Sequence, residues 1–252
     1  MELPPDQTAS DIAQYAGLLS ELRSEAVRVL EQHPEWNRND FRRTVFVKIG
    51  AICDATGIAY LFLGRCLMSP KWWRSDNGFI SIPPDTLDSD IEVHFESFFT
   101  LTRSGFTHLV FSQLEATLRA LLRAVAPGAA SGGTAQFKSV YDSLLQTHLK
   151  RQQGWNDEIN MIDFFRAIRN LIHNNGVYRS KDGTDLTISY RGSTYIFRHG
   201  KNAAFLPMPL VFNVVRDIIF GLEQIVNHPA LVNQTAVIED PALKTERQQT
   251  PR

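Results

Sequence analysis

Apolar residues recur at intervals of three and four over stretches too long to be strands, and this constrains the fold most. The two longest stretches run from about Asp40 to Met68 and from about Asp90 to Ala126. In the second, Phe111, Leu114, Leu118, Leu121, Leu122 and Val125 share one helical face, and a break near Ser104-Gly105 is expected to divide it into two helices. Upstream, Ile12, Tyr15, Leu19, Leu22, Ala26 and Val29 form a narrow heptad-like seam. It opens at a capping-box pattern, Thr8-Ala-Ser-Asp11, and closes at His33-Pro34. That seam packs either on the next helix of the same chain or on a second copy. Phe137, Val140, Tyr141, Leu144 and Leu145 mark a helix over about Ala135 to Leu149. Leu210, Val214, Ile218, Ile219, Leu222 and Ile225 mark another over Met208 to Val226, closed by Pro229.

One segment changes period. Leu186, Ile188 and Tyr190 alternate, Arg191-Gly-Ser193 turns, and Tyr195 and Phe197 alternate again, which predicts a β-hairpin. Gly50, Gly57 and Gly64 repeat every seven residues within the second helical run and predict close approach of a neighbouring helix. Lys71-Trp-Trp-Arg74 offers either a plug for a core edge or a base-stacking pair. Asp76-Asn-Gly78 reads as a turn, Ile82-Pro-Pro84 as a boundary, and Pro127 to Gly133 as a loop. The division expected is an N-terminal helical region over 1–85, a helical bundle over 86–228 and a flexible tail over 229–252.

A net charge of -1 excludes whole-surface attraction to nucleic acid or anionic lipid, so any RNA contact has to be a local patch. Cys53 and Cys66 stand thirteen positions apart in one predicted helix, roughly 20 Å at the helical rise, beyond disulfide reach. They read as packing thiols in a reducing compartment. The N-terminus lacks the pattern of a signal peptide. The most apolar window, Ala55 to Leu63, is too short to span a bilayer, so a cytoplasmic protein without membrane contact is expected. His33, His94, His108, His148, His199 and His228 are scattered without metal-ligand spacing, and no cofactor or metal site is expected.

The densest chemistry lies in Arg166-Ala-Ile-Arg-Asn-Leu-Ile-His-Asn-Asn-Gly176, at the end of a helical run beginning near Asn160. Met161, Phe164, Phe165, Ile168, Leu171 and Ile172 give it a buried face. Arg166, Arg169, Asn170 and His173 recur at i, i+3, i+4 and i+7 on a second face. Such a face is either a solvated or internally paired flank, or a phosphate-handling site with Arg as anion clamp and His as proton carrier. Along the preceding long helix His108, Ser112, Glu115 and Arg119 form a polar stripe. Glu115 either pairs Arg119 one turn on or faces the motif helix and pairs an arginine there. Arg119, Lys150, Arg151 and Asn174 are the candidate RNA contacts beside these residues.

Arg-Asn followed closely by His and then Asn-Gly at a helix end resembles the signature of the HEPN superfamily, over roughly residues 90–228. Two registers are open: Arg166 to His173, with Ala167 after the arginine, and Arg169-Asn170, with two residues before His173. The resemblance implies a mainly α fold, a HEPN-like four-helix bundle carrying the hairpin as an insertion and the N-terminal helices as an extension. It also implies a homodimer and a metal-independent endoribonuclease. There His173 serves as general acid/base, Arg166 and Arg169 hold the phosphate, and Asn170 and Glu115 orient these groups. The alternative is a catalytically inactive helical module for dimerisation or for protein or RNA interaction.

Overall fold

The computed structural model describes residues 9–74, 87–129, 135–203, 207–234 and 236–239. The capping residue Thr8, the turn at Asp76–Gly78, the boundary at Ile82–Pro84, most of the predicted 127–133 loop and the tail beyond 239 lie outside them. The chain is mainly helical, with one small antiparallel sheet. In order come α1 (Ala9–Gln32), α2 (Phe41–Phe62), α3 (Pro70–Trp73), α4 (Asp88–Val125), α5 (Phe137–Asp142), α6 (Asn156–His173), β1 (Leu186–Tyr190), β2 (Ser193–Phe197), α7 (Met208–Val226) and α8 (Pro229–Val232). Both α2 and α5 run on into a π-helical turn, Leu63–Leu67 and Ser143–His148.

All six seam residues of α1 are buried, and they face other helices of the same chain. α1 packs on α2 and α7. The contacts are edged by ion pairs of Arg23 with Asp54, Arg28 with Glu223 and Arg216 with Glu21. α2 packs in turn on α4, so the N-terminal helices share one core with the rest of the described chain. The glycine repeat accounts for only part of that packing. An added Cβ at Gly64 would meet Ile12 Cγ2 at 3.1 Å and one at Gly50 would touch Arg23, while at Gly57 nothing lies within 4 Å.

Two expected boundaries are corrected. α4 is a single helix of 38 residues that passes through Ser104-Gly105 without a break. A glycine costs a helix about 1 kcal/mol, less than the return from burying Phe99, Phe106 and Val110 on either side of it. The 229–252 segment does not begin as a free tail. Pro229 starts α8, Leu231 is fully buried, and Phe41 N–H donates to the Ile238 carbonyl at 2.7 Å. Arg42, buried and paired with the α2 N-cap Asp40 at 2.6 Å, also donates to the Leu231 carbonyl at 2.7 Å. Residues 229–234 and 236–239 therefore close over the start of α2.

Including its π turn, Phe41–Leu67 is long and apolar enough to cross a membrane by length and composition, more than the nine-residue window suggested. Here one side of it, including Phe46, Ile49, Cys53 and Tyr60, is buried in the common core. Of the two tryptophans, Trp73 is buried and donates its indole N–H to the Leu67 carbonyl at 2.7 Å. Trp72 is half-buried against Phe62, so the pair plugs a core edge.

The hairpin forms as read. Leu186 pairs with Phe197 and Tyr190 with Ser193. Arg191 (φ 49°) and Gly192 (φ 73°) make the two-residue turn, whose left-handed pair matches the strand twist. It packs on α6 through Phe164, whose ring lies 4.7 Å from Tyr190 and 4.5 Å from Tyr195. α6 is thus clamped between the hairpin, α4, α5 and α7.

Candidate functional site

α6 starts one turn earlier than its apolar pattern indicates, with Asp157 and Glu158 in the first turn, where the helix dipole favours anions. Its end is fixed by a Schellman motif. Asn175 N–H donates to the Ile172 carbonyl and Gly176 N–H to the Leu171 carbonyl at 2.7 Å, with Asn175 at φ 53° and Gly176 at φ 84°. Asn174 is part of this cap. Its amide nitrogen donates to the Asn170 carbonyl at 2.8 Å, so the side chain expected to touch RNA is spent on the helix end.

The motif residues lie where the spacing puts them, but their surroundings differ from expectation. His173 is exposed and makes no hydrogen bond or ion pair with the described residues. Arg169 is half-buried. Its guanidinium carbon sits 5.7 Å from the centre of the Phe111 ring on α4, a cation–π contact, and its one side-chain hydrogen bond among the described residues is a long one to Asn170 Oδ1 at 3.5 Å. Arg166 is held by Asp163 on its own helix at 2.9 Å. The Nε atoms of both arginines are buried without a hydrogen-bond partner among the described residues.

Asp163 is the anion at the centre of this face, and the pattern of cations does not reveal it. Its Oδ1 accepts from Tyr141 Oη at 2.5 Å and from Arg166 Nη2, while Lys138 approaches Oδ2 at 3.4 Å. Burial, and then the bond to this carboxylate, push the Tyr141 hydroxyl well above its usual range. For Arg166, burial works against the charge, but Tyr141 and Asp163 outweigh it and the guanidinium is raised. The signal was available in part: Asp163 stands three residues before Arg166, the spacing of a helical ion pair.

Glu115 does not take that role. Its carboxylate pairs with Arg119 at 2.6 Å, one turn along α4, and the expectation that it faces the motif helix is corrected. The i,i+4 partner is closer than any arginine on α6, and Asp163 already supplies Arg166 with an anion. Arg119 is itself buried, donating also to the Ala135 carbonyl at 2.9 Å, so it ties α4 to the chain entering α5 and presents no cation to RNA. Arg151, partly exposed, is likewise engaged within the chain. It grips both oxygens of the buried Glu158 at 2.9 Å, donates to Gln224 and the Gly154 carbonyl, and stacks on Trp155. Lys150 is exposed. Both residues precede α6, roughly 27 Å from His173 along the helix by its rise, and neither joins the motif cluster.

A pocket of about 540 Å³ lies at that far end, between α6, the hairpin turn and α7. There Asp217 accepts from Tyr190 Oη at 2.6 Å and from both ends of the Arg191 fork. Among the described residues no group of three or more His, Cys, Asp or Glu could hold a metal ion. Comparison with family models, with curated proteins and with solved structures finds no match to this chain.

Proposed function

We propose that the protein is a metal-independent endoribonuclease of HEPN type that works as a homodimer, with His173 as general acid/base and Arg169 as the working phosphate clamp. The observation that carries this reading is the pairing of an exposed, unpartnered His173 with an incompletely satisfied Arg169 one turn before it, on a helix end fixed by a cap. Cleavage of RNA without metal needs a group to take the 2′-hydroxyl proton, a group to protonate the leaving oxygen, and cations on the phosphorane. One histidine per chain cannot supply acid and base at once. Two α6 ends meeting across a two-fold axis supply both. Arg166, engaged by Asp163, supports the face from within, which favours the Arg169-Asn170 register over the Arg166 register.

A second reading, an inactive helical module of the same family for dimerisation or for protein or RNA interaction, draws support from a specific observation. Glu115, Arg119, Arg151 and Arg166 all have partners within the chain. RNA binding, RNA cleavage in EDTA and melting temperature, measured on wild type, Arg166→Ala, Arg169→Ala and His173→Ala, separate the two. The enzyme reading expects Arg169→Ala to lose binding and rate together, and Arg166→Ala to lose chiefly stability. An inactive wild type on varied RNAs, with His173→Ala unchanged in every other property, leaves the module.

A further inference from the structure

We propose that the outer face of α2 is a docking surface for a second copy of this chain, packed antiparallel on itself across a two-fold axis between Ala59 and Tyr60. Val47, Ala51, Asp54, Ile58, Leu61 and Arg65 are all exposed, and they follow one another at spacings of four, three, four, three and four. From Val47 to Leu61 this is a coiled-coil spacing two heptads long on the side of α2 turned away from the core, and Arg65 continues it into the π-helical turn Leu63–Leu67. The apolar residues at its centre are open to water, Ile58 at 68% and Leu61 at 44%.

The charges choose the partner and its direction. With the axis at that point, residues whose numbers sum to 119 face each other. Ile58 then meets the other copy's Leu61, and Asp54 meets its Arg65, twice each. Arg65 has no ion pair among the described residues. Asp54 uses only Oδ2, for Arg23 at 3.0 Å, which leaves Oδ1 for the incoming guanidinium. A parallel pairing would set Asp54 on Asp54 and Arg65 on Arg65, and like charges across an interface are costly. A lipid surface would have to take both charges into an apolar medium without partners. Phe62, 40% exposed, then faces Gly57 of the second copy, where nothing lies within 4 Å of the place a Cβ would take. This contact is independent of the α6 face and of the nuclease reading.

Sedimentation of the full chain across the micromolar range tests it. Ile58→Glu and Leu61→Glu should each lower the mass by one two-fold step, tetramer to dimer if α6 faces also pair, with the melting temperature of the isolated chain unchanged. Arg65→Asp should weaken association about tenfold or more, and Asp54→Arg combined with Arg65→Asp should restore it. A wild type monomeric throughout overturns the proposal, as does association that survives Ile58→Glu or a double swap no better than Arg65→Asp alone. Binding of wild type to phosphatidylcholine–phosphatidylglycerol vesicles, lost in Ile58→Glu while the protein stays monomeric, assigns the face to lipid instead.

Discussion

Asp163 organises the interior of the motif face, and its removal should be felt more than that of Asp142, the neighbouring carboxylate on Lys138. Asp163→Ala strips the acceptor from a buried tyrosine hydroxyl and the counter-anion from Arg166, and is expected to cost about 2–4 kcal/mol in denaturant unfolding. Asp142→Ala, which removes only a wetter pair with Lys138, should cost less than about 1 kcal/mol. Equal losses would mean that the Asp163 network carries no special weight. Tyr60 gives the opposite case. Its ring is fully buried and its hydroxyl has no hydrogen-bond partner among the described residues, so Tyr60→Phe should leave stability unchanged or raise it by about 1 kcal/mol. A clear loss in melting temperature would reveal a partner for that hydroxyl. At this scale the motif side chains were legible from spacing alone, because i, i+3, i+4 and i+7 fix a shared face. Their partners were not. Whether Glu115 looks along its own helix or across to another depends on distances that only the packed structure sets.

At the scale of elements, the period of the apolar residues located each long helix and the hairpin, since burial of one face is what makes those segments fold. Spacing failed where tertiary packing outweighed a local signal. Gly105 was read as a break, yet α4 runs through it. The 229–239 segment has no period because backbone carbonyls, those of Leu231 and Ile238, do much of its docking. The glycine repeat of α2 is a mixed case that yields a direct test. Gly57→Ala should stabilise by up to about 1 kcal/mol, because nothing opposes the new methyl and the helix gains propensity. Gly64→Ala should gain less or lose, since its methyl meets Ile12 at 3.1 Å. Thermal melts of the two variants that rank them the other way would show that α1 and α2 pack differently.

For the whole molecule, burial of tyrosine and cysteine links stability to alkaline pH. Five of the six tyrosines, Tyr15, Tyr60, Tyr141, Tyr178 and Tyr190, have their hydroxyls raised, in each case chiefly by burial. Burial also pushes the Cys53 thiol up to about 12. Groups whose folded pKa exceeds the unfolded one stabilise fully below the unfolded value. That contribution is lost as pH rises, because the unfolded chain releases protons the native state retains. Stability should therefore decline from about pH 9 upward. Tyrosinate absorbance from these five residues should stay low until the protein unfolds. Tyrosinate appearing near pH 10 from several residues of a still-helical protein would contradict the described core.

The core shared by the N-terminal helices and the rest of the described chain packs around α6, and the capped end of α6 carries His173 into solvent. The central claim is that this histidine performs chemistry on RNA. Single-turnover cleavage of a labelled single-stranded RNA in EDTA, compared between wild type and His173→Ala at equal bound fraction, tests it most directly. The account predicts measurable cleavage by wild type and a rate at least ~100-fold lower for the variant, the usual scale for losing general acid–base help. Cleavage that persists undiminished in His173→Ala, or that is absent from wild type while RNA is demonstrably bound, would contradict it.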